Sequence, residues 1–131
     1  MSLKDVQNAI LSQKESAFAK TGAQKSLEEN AQNHYKMANV FVRSKNYANA
    51  FFMYFTSLGE YAQLYVSKKL NVELDARDAI EFLSKSKRFS FTPEGMNTLF
   101  AKKEEVSMRH KMERTDCDHI KKYVMSLRKA L

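Results

Sequence analysis

The sequence predicts an all-α fold, an up-and-down bundle of five to six helices in a single domain over 1–131. Three observations predict it. Gly and Pro number only 3 and 1, whereas an all-β chain needs turn residues roughly every 8–12 positions. Apolar residues recur at steps of three and four along most of the chain, the period of a helix face. Hydrophobic residues make up 44% of the total, enough to fill one core at this length.

The first apolar set is Leu3, Val6, Ile10 and Ala17/Phe18. Lys20-Thr21-Gly22 reads as its stop, because Gly takes positive φ without steric cost. Ser26-Leu27-Glu28-Glu29 reads as a capping box, in which the Ser and Glu side chains each satisfy a free backbone amide. It opens a helix carrying Ala31, Tyr35, Ala38 and Val42 on one face and ending near Lys45-Asn46.

The next helix carries the strongest pattern. Tyr47, Phe51, Tyr54, Leu58, Tyr61 and Tyr65 form one row, and Ala48, Phe52, Phe55, Ala62 and Val66 form a second. An apolar arc this wide predicts either a central position or cover by a second subunit, and on this basis a homodimer is expected. Gly59 interrupts the helix at a cost of roughly 1 kcal/mol against Ala, which predicts a close helix contact there.

Asp75 reads as the cap of a short helix with Ala76, Ala79, Ile80 and Leu83. The basic and aromatic loop Ser84 to Phe91 follows. Thr92-Pro93-Glu94 restarts a helix with a Thr cap, Pro at the first position and an acid at the positive helix end. Its stripe is Met96, Leu99/Phe100, Lys103 and Val106. The last helix is expected to begin after Thr115 or Asp116 and to carry Ile120, Tyr123/Val124, Leu127 and Leu131.

Composition narrows the function. One cysteine, Cys117, rules out an internal disulfide and suits a reducing, cytoplasmic setting. The most apolar stretch, Phe51 to Val66, is interrupted by Thr56, Ser57, Glu60 and Gln63, so no membrane span is expected. A formal net charge of +7 favours polyanion partners, RNA among them. The three glycines lie far apart and make no phosphate loop. No Cys pair, no His-Glu-x-x-His and no nucleophile elbow is present. Glu104/Glu105 and Asp116-Cys117-Asp118-His119 lack the donor set of a metal site, and neither metal nor cofactor is expected.

What remains is Arg114-Thr115-Asp116-Cys117-Asp118-His119, an Arg and a His flanking four residues. Here the chain resembles the HEPN superfamily, small all-α domains with an Arg-x4–6-His motif near the start of the last long helix. The resemblance implies RNA binding, metal-independent RNA cleavage and a homodimer in which two motifs form one composite site. It also leaves room for a neutralising protein partner. Thr115 stands where many active members carry Asn, Asp or His. The chemistry suits the residues. Histidine titrates near neutral pH and can act as acid or base at a 2′-hydroxyl. Arg114 can clamp a phosphate bidentately. On an unbroken helix, positions five apart point about 140° apart. Convergence therefore requires a break at Thr115-Asp116 or a dimer interface.

Lys85, Lys87 and Arg88 in the loop, and Lys121 and Lys122 on the last helix, are candidate phosphate contacts. Phe89 and Phe91 are expected to turn into the core. His34 and His110 read as ordinary helix residues and Cys117 as an inert thiol. Residues 34–58 also resemble a tetratricopeptide hairpin, which implies the alternative of a non-catalytic helical adaptor. No second copy follows at the repeat's period.

Overall fold

Two long helices joined by a tight turn form the frame. The computed structural model describes the backbone of residues 3–86, 89, 91–107 and 112–131, and within these the side chains of residues 21–104 and 112–131. Helix α1 runs Leu3–Arg43 and α2 runs Tyr47–Leu70. Between them Lys45 takes a positive φ of 62°, and Asn46 caps α2 by accepting the Asn49 N–H. The helices are antiparallel. Ser57 Oγ donates to the Ala31 carbonyl at 2.8 Å, and Gln24 Nε2 donates to Ser67 Oγ at 2.8 Å. Ala31 and Ala38 face Ala50 and Ser57 in this seam, all fully buried. Small side chains at seven-residue spacing let the two backbones approach closely.

The expected break at Lys20-Thr21-Gly22 is absent. The helix runs through Gly22, and no glycine among the described residues has positive φ. Ser26 and Glu29 therefore lie inside a helix, where their amides already have i→i−4 partners, and no capping box forms there. The first two predicted helices are one. The side chains of Leu3, Val6, Ile10, Ala17 and Phe18 lie outside the described residues.

Helix α2 is the centre. Phe51, Leu58, Ala62 and Val66 are fully buried, and Tyr54 and Tyr61 nearly so. Each large side chain contributes roughly 1.5–3 kcal/mol of burial. The cover comes from α1, from α3 (Ala76–Ser84), from α4 (Pro93–Ser107) and from α5 (Arg114–Ala130). The breadth of the apolar arc is thus accounted for within one chain, and it no longer calls for a second subunit. Gly59 is where α3 crosses α2: a Cβ built there would stand 2.8 Å from the Ala76 Cβ. The close contact expected from its helix-breaking cost is present.

The shorter helices start where their caps predict. Asp75 accepts the Asp78 N–H at 2.8 Å and opens α3. Thr92 Oγ1 accepts the Gly95 N–H at 3.1 Å and opens α4. Phe91 is buried and Phe89 half-buried, stacked on each other at 5.4 Å. The buried part of the α4 stripe is Met96 and Leu99; the Val106 side chain lies outside the described residues. Helix α5 lies parallel to α2, with the Cys117 thiol donating to the Tyr47 carbonyl at 3.3 Å. The five helices are the only regular elements among the described residues, and none of them is long and apolar enough to cross a membrane.

Candidate functional site: the start of α5

Helix α5 begins at Arg114, earlier than Thr115 or Asp116. The residue before it explains why. Glu113 takes extended backbone at the N-cap, and its N–H donates to Asp116 Oδ2 at 3.1 Å. Asp116 thus occupies the third helical position, reaching back to the cap and adding an acid where the helix dipole favours one. Lys102 of α4 meets it at 3.7 Å. With the cap at Glu113, Thr115 and Asp116 are helical, and no break separates Arg114 from His119.

Burial along α5 follows from that register. Cys117 and Ile120 face the core and are fully buried, while Arg114, Asp118 and His119 are exposed. Arg114 and His119 sit on opposite flanks of the exposed arc, about 140° apart. Within one chain they do not converge on a phosphate.

Among the described residues, the partner of His119 is Tyr123. The His119 Nε2 and the Tyr123 hydroxyl are 3.0 Å apart, and the two rings are in contact at 5.0 Å. The i,i+4 spacing makes this pair possible on a helix face. Tyr123 is itself buried, and burial raises its phenol pKa above the ordinary value. Its hydroxyl fits because residue 95 is Gly: a Cβ there would stand 2.8 Å from the phenol oxygen. A neutral phenol wedged against α4 thus fixes one side of the His119 ring.

Cys117 lies between the two motif residues in sequence but not in space. It is fully buried, and its thiol pKa is pushed up from 9.0 to about 11 by burial first and by Asp116 and Asp118 next. A thiol held neutral is a poor nucleophile, in line with the inert role expected of it.

The basic candidates separate. Lys121 and Arg128 lie over the Tyr35 ring of α1 at 5.9 and 5.3 Å, so they help tie α5 to α1. Lys122 points to solvent. Lys85 is exposed just past the end of α3. Lys87, Arg88 and His110 lie outside the described residues.

One arrangement was invisible to pattern reading. His34 Nδ1 meets Glu60 Oε1 at 2.5 Å across the α1–α2 seam. Glu60 also lines a cleft of about 380 Å³ between α2, α3 and α4, floored by Gly59 and Ala76. Arg77 and Lys103 lie over the faces of Phe100 and Phe55 in its walls, at 4.8 Å each. A signal was available, since Glu60 is the sole acid in α2, but its partner is set by tertiary packing. Among the described residues no group of three or more His, Cys, Asp or Glu is placed to hold a metal ion.

Comparison with known proteins found no matching family model, no matching curated protein and no matching solved structure.

Proposed function

We propose that the chain is a HEPN-like RNA-binding domain that acts as a homodimer and cleaves RNA without a metal ion, through a site shared between two copies. The observation that supports this reading is the display of Arg114 and His119 on the solvent side of α5, on flanks that only a second copy can bring together. In the shared site Arg114 clamps the phosphate and offsets its developing charge. His119 of the other copy takes or returns a proton, with Tyr123 holding its ring. Lys122, exposed one turn further along α5, supplies backbone affinity.

The test is cleavage of single-stranded RNA in excess chelator. Wild-type protein is expected to cut, and His119→Ala and Arg114→Ala to lose about 100-fold or more. Mixing the two variants should restore part of the activity, because a mixed dimer contributes one intact residue from each copy. No cutting by the wild type, or equal cutting by wild type and His119→Ala, removes the reading. A strictly monomeric chain in sedimentation at micromolar concentration removes the shared site.

A second reading is a non-catalytic helical adaptor. The tetratricopeptide version of it meets an obstacle in the 41-residue α1, which is longer than the whole of that repeat. A helical module of another kind is favoured by exposed apolar side chains away from the α5 motif.

A further inference from the structure

Two hollows meet at the C-terminal ends of α2 and α5, and they share Tyr65 and Phe89 as a common wall. The smaller, about 270 Å³, is lined by Leu70, Phe82 and Leu83 beside that wall, with Ser86 as its remaining residue. Phe82 is 51% exposed and Leu70 41%. Contiguous apolar surface of this kind marks contact sites more often than chance. The larger hollow, about 640 Å³, carries Lys69 and Lys129. Among the described residues they are the only charged ones lining either hollow, and no carboxylate lines them.

We propose that this groove docks an acidic peptide segment of a partner protein, which inserts a bulky apolar side chain beside Phe82 and sets carboxylates against Lys69 and Lys129. Three arguments select that occupant. The smaller hollow sets Leu70 and Leu83 among its three aromatic rings and offers Ser86 as its one non-aromatic polar side chain, which suits a Leu or Phe side chain better than a nucleobase. The two lysines are exposed, with no acid among the described residues that line the hollow, so an incoming carboxylate meets positive charge there. A second copy of the chain is a poorer partner, because a contact of this patch with itself would gather four lysines and supply no carboxylate from the lining residues, in a protein of net charge +7. The inference stands apart from the RNA reading, which concerns the opposite end of α5.

The experiment is selection from a displayed library of random dodecapeptides on the immobilised full chain, followed by fluorescence anisotropy with the enriched peptides. Enriched sequences should be rich in Asp and Glu around one Leu or Phe. Their affinity should fall at least about tenfold in Phe82→Ser, and similarly in Lys69→Gln combined with Lys129→Gln. All three side chains are exposed, so the variants should fold, and far-UV circular dichroism checks that they do. The proposal is overturned if no peptide class is enriched, if the enriched peptides lack acids, or if the variants bind as well as wild type. It is also overturned if single-stranded RNA displaces the peptides and itself binds independently of Phe82.

Discussion

Replacing Gly59 by Ala and replacing Gly22 by Ala are the same chemical change in two helix interiors, yet they should move stability in opposite directions. In an unobstructed helix Gly→Ala stabilises by about 1 kcal/mol. Gly22 meets that condition, since nothing stands within 4 Å of a Cβ built on it. At Gly59 the new Cβ would lie 2.8 Å from the Ala76 Cβ. Carbon atoms prefer about 3.5–4.0 Å, and a Cβ has no rotamer by which to retreat. Helix α3 must therefore back away by about 1 Å. Overpacking of this kind costs about 1–3 kcal/mol, and subtracting the propensity gain leaves Gly59→Ala destabilised by about 1 kcal/mol. The two variants should thus differ by about 2 kcal/mol, or about 6–10 °C in Tm at this chain length. Urea denaturation followed by far-UV circular dichroism measures it. Adding Ala76→Gly to Gly59→Ala should recover most of the loss. If Gly59→Ala proves as stable as Gly22→Ala, the close α2–α3 contact is not a constraint and the reasoning fails.

Other outcomes follow from buried polar groups. The Tyr61 hydroxyl is buried without a hydrogen-bond partner among the described residues, so Tyr61→Phe should match or exceed wild-type stability by up to about 1–3 kcal/mol. Tyr54→Phe should instead lose about 1 kcal/mol, because the Tyr54 hydroxyl donates to Asn39. The Cys117 thiol should react with a disulfide reagent in urea but scarcely in the native protein at pH 8, as absorbance at 412 nm would record. Its raised pKa also has a stability consequence. The unfolded thiol ionises near 9.0 and the folded one near 11. The contribution is present below pH 9 and is lost as pH rises towards 11. Denaturation midpoints across that window should fall less steeply in Cys117→Ala.

Local chemistry carried most of the fold. Asp75 and Thr92 cap where their side chains predicted, and Gly59 was placed by the cost of leaving it in a helix. Two local signals failed for a shared reason. Lys20-Thr21-Gly22 resembles a stop, and Ser26 with Glu29 resembles a start, but packing on α2 holds the chain helical from before Gln24 onward. A penalty of about 1 kcal/mol at one glycine is small beside that packing. The start of α5 was misplaced because the cap is formed by Glu113 with Asp116, a reversed use of the acid pair. That single shift decides the site, since it makes the helix continuous between Arg114 and His119. The His34–Glu60 pair and the groove around Phe82 depend on which helices become neighbours, and no short-range pattern encodes that.

The parallel pairing of α2 with α5 has a consequence for synthesis. Tyr47 and Cys117, in contact at the start of both helices, are 70 residues apart in sequence. At a ribosomal rate of about 5–20 residues per second, α2 waits roughly 4–14 seconds for the helix that covers its tyrosine row. Through that interval the α1–α2 hairpin can already be closed on one side, with the face of α2 that meets α5 still bare. The nascent chain is therefore most prone to aggregate, and most in need of a chaperone, after its central helix has formed and before its last one has emerged.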